Sequence, residues 1–139
     1  MAHDDVFCKI INGEIPSYKI YEDDDVLAFL DISQISKGHT LVVSKKHFDN
    51  FLTIPHEEMH KVMDVAQRIG QVAIKFLHAD GVNILTNCYE AAGQSVMHFH
   101  VHVIPRYQNE GRKVIEFKAA SDEKLNLPAI AESIKENIK

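Results

Sequence analysis

Tryptophan is absent from the 139 residues, and cysteine occurs only twice, at Cys8 and Cys88. One pair of thiols in a chain of this length excludes the dense disulfide framework of small secreted domains, so both are expected to be reduced. No apolar run approaches the roughly 20 residues that a membrane helix needs. The opening Met-Ala-His-Asp-Asp has neither the basic start nor the apolar centre of a secretory leader. A cytoplasmic location with no membrane partner is therefore expected. A basic excess is also missing. The formal net charge of -5 argues against sequence-independent nucleic-acid binding, which draws its free energy from Lys and Arg neutralising phosphates. A small anion held in a local pocket remains compatible with that charge. With four prolines and six glycines, nothing suggests a linker or an unfolded arm. A composition of 45% apolar and 25% charged residues is that of a globular protein, expected to form one domain over 1–139.

What is present is a succession of short segments. Val6 to Asn12 is apolar and closed by Gly13 and Pro16, which predicts one or two helical turns followed by a turn. Tyr18 to Glu22 and Val26 to Leu30 flank Asp23-Asp24-Asp25 in a hairpin-like arrangement, and His39 to Ser44 forms a third candidate strand. After Pro55 the period changes. Met59, Val62, Met63, Ala66, Ile69, Ala73, Phe76 and Leu77 recur at three- and four-residue spacing, predicting an amphipathic helix of about 20 residues with Gly81 past its end. Strands are expected at Val82 to Thr86 and Met97 to Ile104, with a turn at Glu90 to Gly93 between them, and a short helix over Pro128 to Ile138. Clustered strands with one long inserted helix predict an α+β fold: a mainly antiparallel sheet of about five strands, one long helix and short terminal helices.

The run His98-Phe99-His100-Val101-His102 carries the chemistry. On a strand the three imidazoles share one face, while Phe99, Val101 and Val103 anchor the other. A metal site is one reading, since neutral imidazole is a good zinc ligand. Alternate Cα atoms on a straight strand stand roughly 6–7 Å apart, however, so three such ligands need a bend to reach one ion. No acidic residue lies between Gly93 and Gln108 to complete a hydrolytic metal centre. Covalent catalysis at phosphorus uses all three: one unprotonated imidazole attacks, and its neighbours supply protons and hydrogen bonds.

The pattern from His98 to Ile104 resembles the signature of the histidine-triad (HIT) superfamily. Ala92-Gly93-Gln94-Ser95-Val96 precedes it; upstream lie Phe7-Cys8-Lys9-Ile10-Ile11, Glu14-Ile15-Pro16, Leu27 to Ile32 and Gly38 to Val43, in the family's order. The resemblance implies an antiparallel sheet with a long helix, a homodimer, and a purine mononucleotide pocket serving nucleotidyl transfer or hydrolysis at the α-phosphate. It implies that His100 attacks the α-phosphorus, and that His98 and His102 orient it, contact phosphate and assist proton movement. His39 would support the triad by hydrogen bonding. Asp31 would accept from the ribose hydroxyls; Phe7, Ile10, Ile15, Phe29 and Ile32 would enclose the base. Asn87 and Ser95 would hold phosphate or leaving group, with further N–H donors from the Gly93-Gln94-Ser95 backbone. Asn87 and Ser95 resemble the Hint-like branch, favouring a purine nucleoside phosphoramidate as substrate. Diadenosine polyphosphate cleavage, a regulatory nucleotide-binding role and a zinc hydrolase are the alternatives. Some similar proteins carry a structural zinc. Here Cys8, His47 and His98 occupy three ligand places, but Asp5 replaces the first cysteine. Such sites normally take four Cys or His ligands, so no cofactor is expected to be required, with zinc at Cys8, His47 and His98 as the lesser reading.

Overall fold

The computed structural model describes residues 4–111, 115–120 and 123–138. Helix α1 spans Val6–Ile11, followed by strands β1 (Lys19–Glu22), β2 (Val26–Leu30) and β3 (Thr40–Ser44). Helix α2 (His56–Phe76), β4 (Gly81–Leu85), a 3₁₀ turn (Glu90–Ala92), β5 (His100–Arg106) and α3 (Leu127–Asn137) complete the order. The strands form one antiparallel sheet arranged β1-β2-β3-β5-β4, as the clustered strand pattern predicts.

Strands β2 and β3 read as nearly continuous apolar runs because both faces of the sheet are covered. On one face Val26, Ala28, Val42, Phe99, Val101 and Val103 pack with Val62, Val65 and Ala66 of α2. Leu27, Phe29, Leu41 and Val43 occupy the other face with Phe7 and Ile10 of α1. The register pairs Leu41 with His102 and Val43 with His100, so the histidines enter the layer beneath α1. This layer positions the site.

Turn chemistry fixes the connections. The Asp23 carboxylate accepts from the amides of Asp25 and Val26 at 2.8 Å each, closing the β1–β2 turn. Gly38 precedes β3 with φ +96°, a backbone conformation that demands glycine.

Two boundaries are set by contacts that the sequence pattern does not show. Helix α2 is ended by His78 in the left-handed region, at φ 60°, while the amides of Leu77 and Ala79 both bond back to the Ala73 carbonyl. Gly81 begins β4 instead. Strand β5 starts at His100, not Met97. The Phe99 amide is drawn to the Phe48 carbonyl at 2.7 Å, so the chain reaches the sheet after passing the loop that follows β3.

Candidate active site

His100 is buried at the start of β5, with its ring in edge contact with Phe7 at 4.9 Å between centroids. Its Nδ1 lies 2.6 Å from the His98 carbonyl. A carbonyl only accepts, so Nδ1 carries the proton and the neutral ring keeps its lone pair on Nε2. Burial lowers the pKa of His100 below its ordinary value near 6.5, outweighing the opposing bond to the His98 carbonyl. Position, tautomer and basicity together present a neutral nitrogen nucleophile.

His102 is wired differently. The Ile35 amide donates to His39 Nδ1 at 3.2 Å, so neutral His39 carries its proton on Nε2. That Nε2–H donates to His102 Nδ1 at 2.9 Å, which leaves the His102 proton on Nε2. The chain of donors ends in an N–H beside His100, their rings 5.1 Å apart. Burial, then the proximity of His100 and His39, lowers His102 to about 4; burial likewise lowers His39. Asp31 Oδ2 stands 3.7 Å from His39 Nε2. Asp31, His39 and His102 thus form a compact group, but its ring protons are committed to a relay, which disfavours a metal cage.

His98 turns away from both. It is fully buried; Nε2 donates to the Ser44 carbonyl at 2.6 Å, while Nδ1 faces Asp5 Oδ2 at 3.2 Å and Cys8 Sγ at 3.5 Å. With both ring nitrogens engaged, its side chain offers nothing to a phosphate. What reaches the His100 ring from His98 is its backbone carbonyl. Asp5, Cys8, His47 and His98 converge with their ligand-type atoms all within 4.8 Å of one another. Burial and the Asp5 carboxylate raise the Cys8 thiol to about 11. Burial opposes ionisation of Asp5, but bonds from the Cys8 amide and thiol and the nearby His98 hold its pKa below the ordinary value.

Beside the histidines lies a cleft of about 240 Å³. Phe7, Ile10, Ile15, Phe29 and Ile32 line it, with Asp31 at one side, so sequence expectation and structure bring the same apolar residues and acid together. The HIT domain family matches residues 12–109, most of the chain. The protein belongs to the HIT family. An uncharacterised HIT-like protein of Methanocaldococcus jannaschii is 49% identical over 112 residues, covering 81% of this chain and 85% of its own. The Arabidopsis thaliana adenylylsulfatase HINT3 is 37% identical over 110 residues, 79% of this chain and 56% of its own, which supports a place in the Hint-like branch. Among solved structures, a HIT family member from Bacillus subtilis superposes with TM-score 0.85 at 42% identity over 99% of both chains. A zinc-bound histidine triad family protein from Mycobacterium smegmatis gives 0.74 at 39% identity, covering 84% of this chain and 85% of that one.

Within this HIT fold the loop before β5 divides the remaining expected residues. Ser95 is exposed and Asn87 half-buried, and Asn87 packs close to Gly93, whose φ is +98°. Gln94 Oε1 accepts from the Tyr89 amide and from Asn50; its Nε2 donates to the carbonyls of Asp49 and Val96. The backbone amides of Gly93 and Gln94 are spent on Glu90 and Tyr89. Gln94 therefore staples the loop. Sequence reading overlooked Leu41 and Ser17 on the cleft wall. Period-two alternation from His39 would have found Leu41, whereas nothing local marks Ser17.

Proposed function

We propose that this HIT protein is a nucleotidyl hydrolase of the phosphoramidase type, working on purine nucleoside phosphoramidates through His100. The observation that carries the reading is the His100 tautomer: Nδ1–H is held by the His98 carbonyl at 2.6 Å, leaving Nε2 as a neutral nucleophile. Nε2 attacks the α-phosphorus, and the N–P bond to His100 forms as the substrate's own P–N bond breaks. The amine leaves with that bonding pair, taking a proton from solvent that the attacking water later returns. Water then attacks the nucleotidyl-histidine, releasing the mononucleotide and restoring the ring. His102 Nε2–H, set by His39, donates to the developing charge on phosphate. Asp31 accepts from the ribose hydroxyls, and the apolar cleft takes the base. Asn87 and Ser95 border the leaving group. No step calls for a cofactor.

The adenylylsulfatase name of the Arabidopsis relative supports attack at an adenylyl phosphorus and favours sulfate as a second leaving group for the same chemistry. Incubation with adenosine 5′-phosphoramidate, rapid quenching and peptide mass spectrometry should find an adenylyl adduct on the peptide holding His100. The assignment fails if His100→Ala turns the substrate over at the wild-type rate.

A homodimer is part of the reading. β4 is an edge strand with Ile84 exposed, and Gly70, Ile74 and Val82 extend the same apolar groove, a surface that invites pairing. No helix among the described residues is long and apolar enough to cross a membrane, and a cytoplasmic setting suits two reduced thiols.

A further inference from the structure

We infer, on the nucleotide reading above, that Ser17 determines specificity at the sugar end of the cleft, its hydroxyl and the Asp31 carboxylate holding one ribose hydroxyl between them. Ser17 Oγ is shielded from solvent and has no hydrogen-bond partner among the described residues. A hydroxyl in that state has given up water without gaining a protein partner, which costs stability. Groups left unsatisfied in this way are expected where a ligand supplies the missing bond.

The strand register tells which part of a nucleotide would supply it. Lys19 pairs with Phe29 across β1 and β2, and the Leu30 amide donates to the Tyr18 carbonyl at 3.0 Å. One position further along that register Ser17 falls opposite Asp31, at a non-hydrogen-bonded place, where facing side chains lie closest. Both residues line the cleft, and they are the only polar side chains among its lining residues. The rest of the wall, with Phe7, Ile10 and Phe29, is apolar and suits a flat base. The polar pair at one end suits the sugar.

The two groups are complementary in their hydrogen bonding. Asp31 Oδ1 accepts from the Ser33 amide at 2.8 Å. Oδ2 lies 3.7 Å from His39 Nε2, too far for a hydrogen bond, and that Nε2–H is already given to His102. Oδ2 thus keeps an open acceptor position. A carboxylate oxygen accepts, and a serine hydroxyl can donate. A ribose hydroxyl satisfies both at once: its O–H donates to Asp31 Oδ2 while its oxygen accepts from Ser17 Oγ–H. A deoxy position leaves the serine unpaired and the carboxylate short of a donor, so the pair selects a ribonucleotide over the matching deoxynucleotide.

Calorimetric titration of full-length wild type and Ser17→Ala with adenosine monophosphate and its 2′-deoxy and 3′-deoxy analogues tests the assignment. One of the two deoxy analogues should bind the wild type about 10-fold more weakly than the parent. In Ser17→Ala that ratio should shrink about 5-fold, the loss of roughly one hydrogen bond. A packing role would weaken all three nucleotides equally, so ratios unchanged for both analogues overturn the role of Ser17 alone. The analogue lacking the 6-amino group of the base is the control. Its ratio to the parent should be the same in both proteins, and a change confined to that ratio places Ser17 at the base and overturns the sugar assignment. Failure of adenosine monophosphate to bind the wild type overturns the nucleotide reading and this inference with it.

A second readout needs no analogue. Because the substitution removes an unpaired buried hydroxyl, ligand-free Ser17→Ala should melt at or above the wild-type temperature. Saturating adenosine monophosphate should then raise the melting temperature of the wild type more than that of the variant. A clear drop in the ligand-free variant would mean that the hydroxyl is bonded within the protein, and would overturn the inference.

Discussion

A single proton on Nδ1 leaves the His100 lone pair on Nε2, and burial favours the neutral ring. Because burial lowers the His100 pKa, the reactive neutral form persists as pH falls below the ordinary histidine value of about 6.5. The acid limb of kcat/KM should lie below that value, measured by steady-state rates with an adenosine phosphoramidate. A limb at or above 6.5 would contradict the assignment. His102→Ala removes the donor beside the nucleophile and should lower kcat by roughly 100- to 10,000-fold. His39→Ala should have a smaller effect in the same direction, since it only frees the His102 tautomer. The alternation of histidines was legible in sequence, and so was the family pattern around His100. What each ring bonds to was not, because Ile35, Ser44 and Asp49 sit far from the signature in the chain and meet it only after the sheet forms. His98 shows the limit: its sequence place suggests a phosphate contact, but its ring is turned into a buried cluster by partners from α1 and the loop after β3.

Elements were easier to read where their pattern is long. The 21-residue α2 announces itself through its apolar period, and β2 and β3 through their unbroken apolar character, which in turn reflects coverage on both faces. Their ends depended on tertiary bonds. The amide of Phe99 held by Phe48 delays β5, and His78 ends α2 through a cap that its residue type does not advertise. The loop from Asn87 to Ser95 likewise shows no regular pattern; its shape is held by the Gln94 side chain. Gln94→Ala would strand the Tyr89 amide and the carbonyls it now satisfies. Urea unfolding should show a loss of about 2–4 kcal/mol, with nucleotide binding largely retained if the loop still closes. In α1, Asp5→Ala removes the cap on Cys8 and should cost about 1 kcal/mol in the metal-free protein; Asp5→Asn should cost less, a difference that unfolding curves can resolve.

For the molecule as a whole, buried neutral histidines govern acid behaviour. His102 titrates near 4 when folded and near 6.5 when unfolded, so below 6.5 the unfolded chain binds a proton that the folded one refuses. Stability should be undiminished above about 6.5 and fall as pH drops toward 4, by up to about 3 kcal/mol from this residue. Melting temperatures across that window test the sign: a rise on acidification would contradict it. His102→Gln should flatten the slope. Light scattering on the purified protein tests the homodimer, and Ile84→Asp should shift it toward monomer. α3 is exposed throughout. α1 and its Asp5 cap, by contrast, carry three demands at once. Phe7 touches the rings of His98 and His100 and walls the cleft, while Asp5 and Cys8 on either side belong to the four-residue cluster. Grafting only the histidine strand into another scaffold would therefore transplant a nucleophile without its governor. Selection for a new base at Phe7 would drag on the cluster beside it, so changes of specificity in this lineage should arrive as coupled substitutions over residues 5–10.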